Sequence, residues 1–184
     1  ADENGRTDSL AIYRAVNYAV DHGANIINLS LGGRGLSALE QSVVSYARSK
    51  NVLVVVASGN TGEYLPNIGP AAMKGALAVW MVNMDGTRSP VSSWGANNGL
   101  LAPGERIISL KSKDSFKPKI DSIKHREYFQ QDGTSFAAPM VTATASLILA
   151  KNPNYTAYDL ETILLGTAQD MDDAGWDETA GAGL

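Results

Sequence analysis

The sequence has no cysteine and only two histidines among its 184 residues. Without cysteine, the chain forms no disulfide, no cysteine-ligated zinc site and no thiol nucleophile. This absence leaves the cellular compartment open. An imidazole general base within the chain has to be either His22 or His125.

Long apolar runs and an excess of positive charge are also missing. No stretch approaches the ~18 apolar residues of a membrane span, and the net charge of -4 does not indicate nucleic acid or another polyanion as a partner. The opening "ADENGRTDSL" lacks the apolar core of a signal peptide. We therefore expect the sequence to begin inside a longer chain. Its 44% hydrophobic residues suffice for the core of one domain, assigned to residues 1–184.

The hydrophobic periodicity predicts alternating helices and strands. We predict helices at residues 7–23, 37–51, 134–151 and 156–168, and strands at residues 26–31, 52–57, 75–83 and 106–110. The strand at 52–57 is too apolar to have a wet face, which is typical of a parallel sheet covered on both sides. The order of elements predicts a three-layer α/β/α fold with a mostly parallel sheet.

Local signals sharpen these helix assignments. Asp8 or Thr7 is suited to cap the first helix and Gly23 to end it. The second helix is predicted to bury one face, which consists of Leu39, Val43 and Ala47. The third is apolar almost all round, so we expect it to be buried. The fourth begins with Thr156 and Asp159, which have nearly the spacing of a capping box.

A polar linker is predicted between the last strand and the third helix, at residues 111–131. Loops of this length within a compact domain are usually functional or disordered. The linker has more basic than acidic residues and leads into Asp132 and Gly133. Two interpretations remain open: the linker borders a substrate cleft, or it is a mobile, solvated loop.

Three glycine-containing turns are candidates for a functional site, because ligands of such sheets bind beyond the carboxyl ends of the strands. They are "SLGG" (30–33), "SGNTG" (58–62) and "DGTSFAAP" (132–139). Ser135 in the third turn has two interpretations. It is a helix N-cap, or it is a nucleophile whose developing negative charge is stabilised by free N–H groups at a helix N-terminus.

Asn60 also has more than one interpretation. It is a turn residue that tolerates a left-handed backbone, or its amide takes part in chemistry. "SGNTG" resembles the asparagine loop of the cysteine synthase family of pyridoxal phosphate enzymes, which implies a grip on a substrate carboxylate. That loop leads directly into a helix, whereas two prolines follow here in "EYLPNIGPAA". No context for a cofactor lysine is visible.

Five blocks considered together favour another family. "INLSLGG", "VVVASGNTG", "SSWG", "APGERIIS" and "DGTSFAAPMVTATASLILAKNP" occur in this order, and they resemble the subtilisin-like serine proteases over nearly the whole chain. The resemblance implies that Ser135 is the acylating nucleophile and that the Asn60 amide is an oxyanion donor, assisted by Thr134. It implies that Ser30, Leu31 and Gly32 bind the substrate backbone. It also implies that one wall of the specificity pocket consists of Ala57, Ser58 and Gly59.

The general base and its carboxylate partner are not found in the context that the resemblance implies. The family has an aspartate at a strand end and a histidine in H-G-T-H, and neither motif occurs here. His22 lies at a helix end and His125 in the linker, so both are interpreted as surface histidines. We therefore expect the chain to be the C-terminal part of a peptidase domain and to be inactive alone.

The resemblance carries further expectations about partners and location. A peptide or protein substrate, the missing N-terminal part of the domain and self-association through an exposed sheet edge are the expected partners. No cofactor and no metal ligand in this chain is expected, although calcium is possible in the full-length protein. A secreted or extracytoplasmic location is implied. The alternative is a non-catalytic relative that uses the cleft as a peptide-binding or interaction module.

Overall fold

The computed structural model describes residues 6–64, 68–95, 98–110, 128–171 and 174–184. His125 and most of the predicted linker lie outside these ranges. Within them the chain forms α1 (Ser9–Asp21), β1 (Ile26–Leu29), β2 (Gly33–Arg34), α2 (Ala38–Ser49), β3 (Leu53–Ala57), β4 (Ile68–Gly69), β5 (Ala76–Val82), β6 (Gly99–Pro103), β7 (Ile107–Leu110), β8 (Tyr128–Gln131), α3 (Thr134–Lys151) and α4 (Ala157–Thr167).

The central sheet is parallel and has the strand order β1-β3-β5-β6. All residues of β3 and β5 are buried, as the apolar run at 52–57 predicted. The strand predicted at residues 106–110 is confirmed, but a strand of the central sheet was missed in the sequence. The sheet ends in β6, whereas the predicted strand near residues 106–110 forms β7, which pairs elsewhere. β6 was missed because "GLLAP" is short and is flanked by glycine and proline, which indicate a loop.

Alternate residues of β3 face two separate cores. Val54 and Val56 pack with α1 and α2, while Leu53, Val55 and Ala57 pack with α3 and α4. Because successive side chains of a strand point to opposite faces, this division confirms the three-layer arrangement. Helices therefore cover both faces of the sheet.

The two helices on the first face nearly follow the predicted boundaries, but one prediction about their buried residues was wrong. Asp8 caps α1 by accepting a hydrogen bond from the Ala11 N–H at 2.8 Å. In α2, Val43 and Ala47 are buried as predicted, but Leu39 is exposed and Glu40 is buried in its place. The reason is a polar contact: the Ser9 hydroxyl donates to the Glu40 carboxylate at 2.9 Å.

The third helix, α3, is buried on one face only. It packs across all four strands of the sheet through Ala137, Ala138, Val141 and Ala145. The expectation that it is buried all round was wrong, because Leu147 is 73% exposed and the side chain of Met140 also faces outward. No element of the described chain covers this second face. In α4, the capping box between Thr156 and Asp159 is confirmed.

The predicted linker ends in a strand, not in a loop. β8 pairs with β7 in an antiparallel ladder, with Ile107 opposite Gln131. Asp132 follows and accepts a hydrogen bond from the Arg106 N–H at 2.6 Å, and the Gly133 N–H donates to the Gly104 carbonyl at 2.9 Å. The start of α3 is therefore tied to the chain that leaves β6.

Candidate active site

The candidate site lies beyond the carboxyl ends of β1 and β3. Ser30 follows β1, Asn60 belongs to the turn after β3, and the N-terminus of α3 lies against both. This arrangement brings Ser30, Asn60 and Ser135 together, as the three glycine-containing turns predicted. It follows from the fold, because parallel strands that end at one edge of a sheet place their following turns side by side.

Asn60 is held in one orientation by Thr134. The backbone N–H and the hydroxyl of Thr134 approach the Asn60 Oδ1 at 2.8 Å and 3.0 Å. The Thr134 hydroxyl in turn accepts a hydrogen bond from the Gly59 N–H at 3.1 Å, so its own proton is free to donate to Asn60. Since a backbone N–H only donates, the atom facing it is the amide oxygen. The Asn60 NH₂ group is left to donate elsewhere.

The turn that carries Asn60 is also fixed from its other side by Ser93. The Ser93 N–H donates to the Gly59 carbonyl at 2.9 Å, and the Ser93 Oγ accepts from the Thr61 N–H at 3.2 Å. Gly59 has a φ of 107°, in the region that favours glycine. The role of Ser93 was missed in the sequence, although "SSWG" is one of the five blocks that carry the resemblance.

Ser135 is the second residue of α3 and not its N-cap, so the N-cap interpretation was wrong. Gly133 is the N-cap and makes no side-chain capping bond. The Ser135 Oγ has one neighbour as acceptor, the Ser30 carbonyl at 3.4 Å, which is longer than an ordinary O–H···O hydrogen bond. Among the described residues, the Ser135 N–H has no acceptor. The hydroxyl and the N–H therefore remain available to a ligand.

A polar chain positions Ser30 beside the start of α3. The Ser30 hydroxyl donates to the Ser135 carbonyl at 2.8 Å and accepts from the Asn28 amide at 2.9 Å. The Asn28 oxygen accepts from the Thr142 hydroxyl at 3.0 Å. Asn28 thus joins the end of β1 to two turns of α3. Its polar side chain within "IINL" is the signal by which the sequence could have identified this link.

A cavity of about 310 Å³ opens beside Ser135 and Asn60. Its wall contains Ala57 and Gly59, two of the three residues assigned to a specificity-pocket wall, and also Thr134. Ser58 does not line it, because its side chain is buried and its hydroxyl donates to the Ser93 carbonyl at 2.6 Å. The other lining residues are Leu31, Gly32, Gly33, Arg34, Thr61, Ile68 and Ser93.

His22 lies away from this site. It follows α1 and precedes β1, so the length of β1, roughly 3.3 Å per residue, separates it from Ser30 and Ser135. Its Nδ1 lies 2.7 Å from the Tyr18 carbonyl, and its ring stacks on the Tyr18 ring. In the described part of the chain, no three His, Asp or Glu side chains form a group able to hold a metal ion. None of the described helices is long and apolar enough to span a membrane.

A serine at a helix N-terminus, beside a fixed amide donor at the carboxyl edge of a parallel sheet, has the layout of an acyl-transfer site. The chain belongs to the Subtilase family, whose profile matches residues 1–183. This family consists of subtilisin-like serine peptidases, so the resemblance stated from the five blocks is confirmed.

Two relatives show how the chain matches longer proteins. It is 32% identical over 171 residues to subtilisin BL of Lederbergia lenta, which covers 93% of this chain and 58% of that protein. It is 30% identical over 190 residues to fervidolysin of Fervidobacterium pennivorans, which covers 98% of this chain and 27% of that protein. The chain thus spans just over half of the first relative and about a quarter of the second.

Solved structures agree with the fold. A lanthipeptide protease matches with a TM-score of 0.89 and 27% identity, over 99% of this chain and 65% of its own. The prenylagaramide maturation protease PagA matches with a TM-score of 0.83 and 28% identity, over 100% of this chain and 66% of its own. These matches confirm the predicted α/β fold with a mostly parallel sheet.

Proposed function

We propose that the protein containing this chain is a serine endopeptidase, with Ser135 as nucleophile and Asn60 as oxyanion donor. The observation that carries the proposal is the fixed orientation of the Asn60 amide. Its oxygen is occupied by Thr134, so its NH₂ group and the free Ser135 N–H are the two donors next to the Ser135 hydroxyl. Donors held in place before charge develops stabilise an oxyanion without reorganisation.

In the proposed reaction, the Ser135 Oγ attacks the carbonyl carbon of the peptide bond while its proton passes to a general base. The carbonyl oxygen becomes an oxyanion and accepts hydrogen bonds from the Asn60 amide and the Ser135 N–H. Collapse of this intermediate releases the amine, which takes the proton, and leaves an ester on Ser135. Water then hydrolyses the ester and restores the hydroxyl. The helix N-terminus of α3 favours the negative charge.

The substrate is proposed to lie as an added strand along Ser30, Leu31 and Gly32. In the described structure, the backbone N–H and C=O groups of Leu31 and Gly32 have no backbone partner, so they are free to pair with an extended peptide. The side chain preceding the cut enters the 310 Å³ cavity. Ala57 and Gly59 form part of the wall of this cavity.

The chain alone is proposed to be inactive, because no imidazole of the described residues lies at Ser135. The base and its carboxylate would come from a part of the domain outside this sequence. That part would cover the free edge of β1, the first strand of the sheet, and the exposed face of α3 around Leu147. Without it, the same apolar surface would promote self-association.

Labelling by a fluorophosphonate probe tests the catalytic proposal. In the full-length protein, we expect rapid labelling at Ser135 and none in Ser135→Ala, while the isolated chain labels slowly or not at all. Asn60→Ala in the full-length protein should lower kcat with little effect on KM. In subtilisin, a relative, removal of the oxyanion-hole asparagine is known to lower kcat by about 10²–10³. We expect a loss of the same order here. A folded full-length protein that leaves Ser135 unlabelled would contradict the proposal.

The second candidate is a non-catalytic peptide-binding module. The observation that favours it is the position of His22, which leaves Ser135 without a base among the described residues. The same experiment distinguishes the two functions. A full-length protein that binds peptides but neither reacts with the probe nor hydrolyses them would be this module.

No cofactor is needed for the proposed reaction, since nucleophile and donors belong to the chain. Calcium remains a proposal for the full-length protein only. A secreted or extracytoplasmic location is proposed as well, and one supporting relative is the cell wall-associated protease of Bacillus subtilis, 34% identical over 170 residues, which cover 92% of this chain and 17% of that protein. Neither nucleic acid nor a membrane is proposed as a partner.

A further inference from the structure

A second and larger cavity adjoins the proposed substrate strand. It has a volume of about 780 Å³ and lies between α1, the start of α2 and the segment that follows β1. Residues 31–34 line both this cavity and the 310 Å³ cavity beside Ser135. A peptide paired along that segment therefore passes both openings. Because one residue advances a strand by roughly 3.3 Å, different side chains of one peptide reach the two cavities.

The larger cavity contains a buried carboxylate. Glu40 is only 7% exposed, and its one hydrogen bond in the described structure is the bond from Ser9. The two ion pairs found among described residues, Arg34–Glu63 and Arg48–Glu161, do not include it. A buried carboxylate is costly without a compensating cation or hydrogen bonds. A cationic ligand would therefore gain more from this group than from an exposed one.

The local structure holds this carboxylate in place. Glu40 is in the first turn of α2, where the helix dipole favours a negative charge. Its Oε2 packs against Gly69, and a Cβ at that position would overlap with it. The absence of a side chain at Gly69 therefore makes room for the carboxylate beside the cavity. Such fixed placement is what a group that selects a ligand requires.

Two other charged residues that line the cavity already have partners. The Arg34 guanidinium is held by the exposed Glu63 at 2.6 Å, and Asp8 accepts the capping hydrogen bond of α1. Arg6 also lines the cavity and is exposed. Glu40 is the buried charge of the set.

We propose that the larger cavity selects a lysine or arginine side chain of the substrate and that Glu40 is its counter-ion. This inference rests on the proposed function for the position of the peptide. The basic residue is one of the three that precede the side chain in the smaller cavity. Glu40 is thus a specificity-determining residue for basic peptides and takes no part in bond cleavage.

Peptide binding tests this without requiring hydrolysis. The probe is a set of peptide pools in which one position is fixed as lysine or as norleucine, its uncharged counterpart, and the others are mixed. Competition against a fluorescent peptide on the full-length Ser135→Ala protein should show about tenfold tighter binding of lysine than of norleucine at one position. In Glu40→Gln the two pools should bind equally.

Glu178→Gln is the matched control, because it removes the same charge from an exposed residue that lines neither cavity. It should keep the preference, and thermal unfolding should show that each variant is folded. Binding without a lysine preference, or a preference that survives in Glu40→Gln, would overturn this inference and leave the peptidase proposal intact. A Glu40-dependent preference in a protein that ignores the fluorophosphonate would support this inference and contradict the peptidase. A failure to bind any pool would overturn this inference, while the labelling of Ser135 decides the peptidase proposal separately.

Discussion

Thr134 donates two hydrogen bonds to one atom of Asn60, a residue 74 positions earlier in the chain. Its hydroxyl is shared between the Asn60 oxygen and the Gly59 N–H. The donor and the helix that carries Ser135 are therefore fixed as one unit. Their mutual position does not depend on a bound substrate.

Thr134→Val should separate the contribution that the Thr134 hydroxyl makes to the position of Asn60 from the contribution of the Thr134 backbone N–H. Valine keeps the volume but removes the donor to Asn60 and the acceptor of the Gly59 N–H, at a cost of about 1–3 kcal/mol of unfolding free energy. In the full-length protein we expect kcat to fall roughly tenfold at nearly constant KM, because an oxyanion donor that is less well fixed loses transition-state stabilisation. Thr134→Ser is the control and should retain most activity. An unchanged kcat in the valine variant would show that the hydroxyl does not hold Asn60.

Gly62→Ala should destabilise the turn that carries Asn60. Gly62 has a φ of 68°, and a Cβ there would overlap with the Pro90 carbonyl oxygen. We expect a loss of about 1–3 kcal/mol or more in chemical denaturation. Gly166→Ala is the matched control. It lies within α4 with nothing near the added Cβ, so it should stabilise the protein by about 0.5–1 kcal/mol. Equal effects in the two variants would rule out the steric explanation.

Asp177 should make the C-terminal turn sensitive to acid. Its burial raises its pKa, but hydrogen bonds from Thr179 and Ala180 outweigh this effect and lower the pKa. A carboxyl group whose folded pKa is lowered stabilises the fold above its unfolded pKa of about 3.9. That contribution is lost as the pH falls further, through the folded pKa. Solvent screening keeps the effect small, because the residue is partly exposed.

Asp177→Asn tests this pH dependence. The unfolding free energies of the two proteins should differ near pH 7 and should converge as the pH falls from about 4 towards 2. Denaturant titrations across this range provide the measurement. Curves that remain parallel over the whole range would show that the carboxylate charge is not the stabilising element.

The isolated chain should self-associate through the surface around Leu147 and the edge of β1. Sedimentation velocity should show a concentration-dependent increase in the sedimentation coefficient, and the paired change Met140→Lys with Leu147→Lys should reduce it. Tyr158→Lys places a charge on another exposed hydrophobic residue, of α4, and should have less effect. A stable monomer at high concentration would contradict the proposed association.

The elements that could be predicted from the sequence are those whose signals are local. The valines of β3, the capping box at Thr156 and the glycines around Asn60 each specify their own backbone. The exposure of Leu147 could not be inferred, because a helix that is apolar all round has the same sequence whether or not a second layer covers it. Glu40, and not Leu39, lies in the buried face of α2 because of its contact with Ser9, a residue of another helix.

The candidate site shows the same limit. Ser135 and Asn60 were recognisable because each belongs to one of the five blocks that resemble the subtilisin-like proteases. Ser58 was assigned to the specificity-pocket wall through the family resemblance, yet the direction of its side chain depends on a carbonyl group at Ser93, 35 residues away. Glu40 carried no signal in the sequence, since a glutamate in the first turn of a helix is ordinary.

The ladder between β7 and β8 has a consequence for how the protein tolerates change. Four paired residues on each strand and the bond from Gly133 to Gly104 separate residues 111–127 from Ser135. Segments of different length and composition can therefore be exchanged at that place while the geometry at Ser135 is preserved.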